Sequence, residues 1–325
     1  MSSDSLSEGK SLHLLYGVLF TIIALAALVA LIRMQSRADT VSQTVATGNA
    51  TPAIDLITIS AGSYGTAATA LTLTESTTTT AYIWGNASDS NGCEQIDAAA
   101  DYAIKFYRTN VTGGSACTAD DNDCYSIATL NITVDQCTVG GSDLISRYQG
   151  TVALNYFADP TDTGAVQAAT SWTASVTAND GTATSAAGTA TTEINTLLSL
   201  DVTGTVNYGT VALSGTSANQ TVSVTNTGNA GIDATISGTT GSFTCTVGNF
   251  TLGSAEWSLS PVFTYGTGTD ITTISAALHS AVGALVVQRT AGVSSSNFYT
   301  AVQLPATGIS GTCTNTLTVA ATAAN

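Results

Sequence analysis

The chain opens on one unbroken apolar run, "LLYGVLFTIIALAALVALI" from Leu14 to Ile32, and changes character after residue 40. As a helix that run rises about 28 Å, close to the ~30 Å of a bilayer's hydrocarbon core. Further along, apolar residues recur at every second position in short segments bounded by Gly, Asn, Asp and Ser, the period of β-strands. Seven such segments fill residues 54–60, 79–87, 101–108, 125–134, 147–158, 170–178 and 182–192. A second series occupies 197–204, 208–215, 219–228, 232–238, 242–252, 255–266, 284–290, 297–305 and 313–322. Only "EQIDAAADYAIKF", Glu94 to Phe106, also admits a helical reading. The pattern predicts an all-β chain of two Ig-like β-sandwiches in tandem, residues 53–193 and 194–325. Ahead of them stand a cytoplasmic tip and transmembrane anchor, 1–38, and a polar spacer, 39–52. Tyr64-Gly65-Thr66 and Tyr208-Gly209-Thr210 echo one another across the two halves. That echo suggests two copies of one plan.

The anchor has a competitor. Ser36-Arg37-Ala38 places small residues at −3 and −1 of a signal-peptide cut after Ala38, but the preceding "MSSDSLSEGK" is acidic and the apolar run is longer than a signal peptide requires. An uncleaved span over 14–32 is therefore expected. Arg33 and Arg37 after the run favour a cytoplasmic body by the positive-inside rule. Cysteine usage points the other way. Cys93, Cys117, Cys124, Cys137, Cys245 and Cys313 form no C-x-x-C pair and suit an oxidising compartment. Glycosylation sequons at Asn49, Asn86, Asn110, Asn131, Asn219 and Asn249 agree. The expected location is the cell surface, with the C-terminal domains outside and the helix in the cytoplasmic membrane.

Charge narrows the function classes. Charged residues make up 9% of the chain, against a norm of roughly 25%. From Asp39 onward 20 carboxylates face only Lys105, Arg108, Arg147 and Arg289, a formal −16. Phosphate contacts need clustered Lys and Arg, so nucleic acid is excluded as a partner. The histidines are His13, at the membrane boundary, and His279, read as a loop or surface residue. No G-x-S-x-G, P-loop or Rossmann glycine pattern is present, and no enzymatic activity is expected.

"YGTV…VSVTNTGN", Tyr208 to Asn229, resembles the Ig-like ASH/Hydin-type modules of surface and scaffold proteins. A wider set of segments, "DSNGCEQI", "FYRTNV", "CTADDNDCY", "ADPTDTG", "WTASVTANDG", "QRT" and "ISGTCTNTLTV", looks like the single-anchor, two-module surface proteins of Patescibacteria-type bacteria. The Thr-rich, charge-poor composition is similar to that of surface-layer proteins. These resemblances imply location more than mechanism.

Candidate chemistry rests on carboxylates and cysteines. If the strands run alternately up and down, "TADDND" and "ADPTDTG" share one end of the first sandwich. Asp120, Asp121, Asp123, Asp159 and Asp162 would then supply hard oxygen ligands, and Ca²⁺ is the expected ion. A thinner set, Asp89, Asn91 and Asp180, belongs to the other end, expected near the joint between sandwiches. The competing reading is solvated turns, in which Asp and Asn satisfy local backbone groups. The same placement favours bridges 93–137 and 117–124 among three possible pairings, with 245–313 in the second sandwich. The expected function is a structural surface-layer or envelope lattice subunit that assembles with copies of itself, attached to the membrane through residues 14–32. An adhesin that grips a host or neighbouring cell through loops 108–123 and 135–146 is the alternative. A pilus or fibre subunit donating "TVSQTVATGNATPAIDLITIS" as an added strand stands behind both.

Overall fold

The computed structural model describes residues 8–33, 48–138, 142–279 and 294–324. Contacts divide the chain into two units, Met1–Gly48 and Asn49–Asn325. In the first unit, helix α1 spans Glu8–Arg33 and is apolar on every side. Its side chains are described from Leu14 to Val29, all exposed. Among the described residues no helix is long and apolar enough to cross a membrane. Residues 30–32 of the expected span lie outside the described side chains.

The second unit is all β-sheet apart from short 3₁₀ turns, and it holds two separate cores. Its first half contains β1 (Ala53–Ser60), β2 (Ala70–Leu71), β3 (Thr78–Ser88), β4 (Tyr102–Arg108), β5 (Cys124–Ser126), β6 (Ile132–Asp135), β7 (Ile145–Asn155), β8 (Trp172–Ala178) and β9 (Gly188–Ile194). One sheet has the order β1-β3-β7-β6, and the other β2-β9-β8-β4-β5. The alternation read from the sequence works as expected in β3, where Ala81, Ile83, Gly85 and Ala87 face inward between half-buried neighbours. Trp172 fills the centre. Its ring centroid lies 5.0 Å from Phe106 and 5.9 Å from Tyr125, and its indole N–H donates to the carbonyl of Asp159 at 2.8 Å. Burial also pushes the Tyr102 hydroxyl up to about 12.

The segment 125–134 does not form the single strand expected. A 3₁₀ turn at Thr129–Asn131 splits it, sending β5 to one sheet and β6 to the other and leaving Leu130 86% exposed. Glu94–Phe106 is not a helix either: 3₁₀ turns at Cys93–Gln95 and Ala99–Asp101 lead straight into β4.

The second half contains β10 (Leu200–Thr203), β11 (Gln220–Asn226), β12 (Ile232–Gly238), β13 (Ser242–Val247), β14 (Asn249–Thr251), β15 (Ala255–Ser258), β16 (Thr269–Asp270), β17 (Ala276–His279), β18 (Ser295–Val302), β19 (Ser310–Thr314) and β20 (Leu317–Ala323). One sheet runs β10-β11-β18-β15-β16. Two shorter sheets, β17-β12-β20 and β14-β13-β19, form the opposing layer. His279 is a strand residue, paired with Ala234, rather than part of a loop. The expected strand 284–290 lies outside the described residues. Residues 208–215 form no strand; they belong to an irregular strap between β10 and β11 in which Gly209 and Ser214 take positive φ.

The sandwiches meet at a joint built largely by "TNTGN", Thr225 to Asn229. Asn229 donates to the carbonyls of Ala158 and Asn195 at 3.1 and 3.0 Å and accepts from the amide of Leu197 at 2.6 Å. A Cβ on Gly228 would stand 2.0 Å from the Leu197 carbonyl oxygen, so only glycine allows this approach. Ser199 bonds to both Thr227 and Glu75. Asn226 and Asn229 are fully buried here, their polar groups satisfied rather than solvated.

Candidate functional site

The two acidic loops do converge, but on an arginine. Arg108, the last residue of β4, donates from Nε to Asp159 at 2.9 Å, from Nη2 to Asp123 at 3.1 Å and from Nη1 to Gln167 at 3.3 Å. Asp159 is buried, and its other oxygen accepts from Asn122 at 3.2 Å. Asp120 folds back on its own loop, where one oxygen accepts from the backbone amides of Asn122, Asp123 and Cys124 at 2.9–3.2 Å. Burial acts to raise this carboxyl, but those amides outweigh it and hold it below the usual carboxylate range. Asp123 goes the other way, raised by burial and by the neighbouring Asp120 carboxylate against the pull of Arg108.

Asp121 takes a left-handed turn, φ 66°, and its carbonyl accepts from Tyr125 at 2.6 Å and from Asn155 at 3.3 Å. Asp162 lies on the joint, accepting from Thr196 at 2.5 Å. Among the described residues the carboxylates Asp120, Asp121, Asp123, Asp159 and Asp162 do not gather three oxygens close enough for one ion. The single His, Cys, Asp or Glu group that does is Cys93, Glu94 and Cys137, and both its sulfurs are bonded to each other. Arg108 stands between the two loops and forms ion pairs with Asp123 and Asp159. The sequence signal was available: Arg108 is one of four basic residues after Arg37.

At the opposite end, Asp180 accepts from Asn49 at 2.8 Å, and Asn91 accepts from the amide of Ala50 at 2.5 Å. This end receives the chain entering from the spacer. The joint between sandwiches lies instead at the Asp162 end, which corrects the expected placement of Asp89, Asn91 and Asp180.

All six cysteines are bridged, 93–137, 117–124 and 245–313. The 117–124 bridge closes the acidic loop beside Arg108. The 245–313 bridge joins directly opposed residues of β13 and β19.

A separate opening lies in the second sandwich. A groove of about 520 Å³ runs between the strap and β19, with walls that include Val206, Tyr208, Phe243, Phe250, Leu304 and Cys313. A smaller lobe continues along Thr314, Asn315 and Leu317 to the start of β20. Tyr208 is held across it by a 2.8 Å hydrogen bond to Thr300, and burial raises its hydroxyl. Among the described residues β20 pairs with β12 alone and β19 with β13 alone, so their far edge is unpaired. In the first sandwich β8 pairs with β4 on one side and is covered on its far side by β9.

No protein-family profile matches the chain, and no curated protein does. Among solved structures it is similar at 10% identity to the Streptococcus agalactiae AgI/II polypeptide BspA C-terminal domain, with a TM-score of 0.19 over 84% of this chain and 96% of that one. Two further structures, "BspA_C_mut" and "BspA_C_WT", give TM-scores of 0.21 and 0.20, also at 10% identity, covering 86% and 82% of this chain and 96% of each of theirs. Scores this low establish neither a shared fold nor a shared function.

Proposed function

We propose that the protein is a structural component of a cell surface, held to the cytoplasmic membrane by the apolar segment 14–32 and displaying two Ig-like sandwiches outside. The observation that carries this reading is the complete bridging of six cysteines in three disulfides, a state that persists in oxidising compartments. A helix apolar on all sides, as α1 is, finds its match in lipid. The Ig-like reading is supported by strand order. Lettering β1, β3, β4, β6, β7, β8 and β9 as A to G, the sheets of the first sandwich contain A-B-E-D and G-F-C.

Within that class the protein is a self-assembling envelope subunit. The groove and the unpaired edge beside it are uncharged, which suits contact between copies that each carry a formal −16 beyond the anchor. Imaging of the native envelope tests this: an abundant protein in periodic arrays or filaments is expected, and a sparse protein with no ordered contacts would favour the adhesin. Retention of the full chain in membranes through salt and alkaline washing is expected as well, whereas a mature N-terminus at Asp39 would remove the anchor.

A further inference from the structure

We propose that the protein carries N-linked oligosaccharides on Asn110, Asn131 and Asn249, and that the fold closes its other three sequons, at Asn49, Asn86 and Asn219, to the same modification. The inference rests on the exterior location proposed above and adds a covalent sugar coat to the surface displayed there.

An Asn-x-Ser/Thr sequence carries a glycan only where the fold leaves its asparagine within reach. Asn110 stands in the loop after β4. Thr109 is clamped beneath it, its amide and hydroxyl both donating to the carbonyl of Ser171 at 2.7 and 2.9 Å, and the Val111 amide closes the turn on the Arg108 carbonyl at 3.1 Å. Asn110 is left exposed at φ 73°, a left-handed conformation that asparagine tolerates, and Thr112 is exposed beside it. The other two open sequons use the period of a strand, which sets residues i and i+2 on one face. Asn131, leading into β6, and Thr133 are exposed while Ile132 between them is buried. Asn249 and Thr251 of β14 are exposed while Phe250 is buried. The buried middle residue holds the backbone and turns asparagine and hydroxyl outward together. Among the described residues no hydrogen bond occupies the side-chain amide of Asn110, Asn131 or Asn249, and Thr133 gives only a long 3.4 Å bond to the Gln149 carbonyl.

The remaining sequons are closed. Asn219 is half-buried, and its Nδ2 donates to the carbonyls of Phe263 and Pro261 at 2.9 and 3.4 Å. The Nδ2 of Asn49 donates to Asp180 at 2.8 Å. Asn86 is half-buried in β3, which pairs with β1 on one side and β7 on the other, so a glycan there would have to stand in the middle of a sheet. The state of the side-chain nitrogen matters because it is the nucleophile. It bonds to the anomeric carbon of an oligosaccharide carried on a polyprenyl diphosphate, the bond from that carbon to the phosphate oxygen breaks, the diphosphate leaves with the electron pair, and the nitrogen gives up one proton. Nothing is oxidised or reduced. A surface with 9% charged residues gains hydration from the sugar hydroxyls. Leu130, 86% exposed, and Val247, 58% exposed, lie within two residues of Asn131 and Asn249 and would be shielded.

The test uses the full chain purified from its native envelope. Mass spectrometry of its proteolytic peptides, with fragmentation that keeps sugars on their side chains, should find saccharide additions on Asn110, Asn131 and Asn249 and bare asparagine at Asn49, Asn86 and Asn219. Asn110→Gln, Asn131→Gln and Asn249→Gln, made in the native cells, should each remove one addition. Thr112→Ala, Thr133→Ala and Thr251→Ala keep the asparagine and should remove the same additions, which ties each loss to the sequon. Bare asparagine at any of positions 110, 131 and 249 overturns the proposal, as do additions at Asn49, Asn86 or Asn219 at the occupancy of the open sites. The same peptides separate the two readings. Bare asparagines in a chain whose cysteines are all bridged refute the glycosylation alone, whereas bare asparagines with free thiols refute the exterior location on which it rests.

Discussion

The two sandwiches begin alike and end differently. In the first, the chain that follows Tyr64-Gly65-Thr66 crosses to the second sheet, where β2 pairs in parallel with β9. Tyr64 packs on Trp84, with Arg147 4.0 Å above its ring, and the Trp84 indole bonds to the Gly65 carbonyl at 3.1 Å. In the second, the chain after Tyr208-Gly209-Thr210 turns back: the Ser217 amide donates to the carbonyl of Val302, the last residue of β18, and the Leu304 amide just beyond it donates to the carbonyl of Gly215. The same tripeptide thus precedes a closed edge in one half and an open groove in the other. The local signal is therefore not what decides closure.

The difference can be broken most forcefully at the cysteines. Cys245→Ala with Cys313→Ala removes a bridge spanning 68 residues from the half in which, among the described residues, β20 pairs on one side only. Chain entropy puts the loss at about 4 kcal/mol. Calorimetry should resolve the second sandwich melting well below the first; coincident melting of both would mean that the halves are one cooperative body.

A comparable attack on the first sandwich removes its internal cation. Arg108→Met leaves Asp159, 2% exposed at its side chain, without its ion-pair partner, a loss of about 3 kcal/mol. Denaturant unfolding should register this in the first sandwich only. Chelators added to the wild type should leave the same transition unmoved; if chelation lowers it and Arg108→Met does not, the carboxylates serve a divalent ion after all.

Acid sharpens the contrast more gently. Asp123, raised, takes its proton first as pH falls, which favours the folded state. Asp120, lowered, contributes stability that is present above the ordinary carboxylate value of 3.8 and is lost as pH falls below it toward its own lower value. Asp120→Asn should flatten the fall in first-sandwich melting temperature below about pH 4. An unchanged acid profile would mean that the backbone amides do not prefer the charged form.

Much of this fold is legible in alternation and turn residues, because β3, β4, β7, β8, β11 and β12 each bury one clear set of side chains or lie wholly inside. Bridges 93–137 and 117–124 follow from which loops share an end, and 245–313 from the two cysteines having no other local partner. Less legible are features decided by partners distant in sequence. Leu130 looks like a strand residue yet sits exposed on a 3₁₀ turn, since the chain must change sheets there. "VALSG" alternates like a strand, but the chain turns around it, with positive φ at Gly209 and Ser214, and it forms a strap. The acidic loops do not announce that Arg108 is brought between them, and "TNTGN" looks like an ordinary turn until the first sandwich buries it.

The central claim is that the two sandwiches differ in how their second layer is covered: β8 lies between β4 and β9, whereas among the described residues β20 pairs with β12 alone. Hydrogen exchange of the full chain tests it most directly. The amides of β8 should be protected along the whole strand, and alternate amides of β20 should exchange much faster. Amides of β20 as protected as those of β8 would contradict the account.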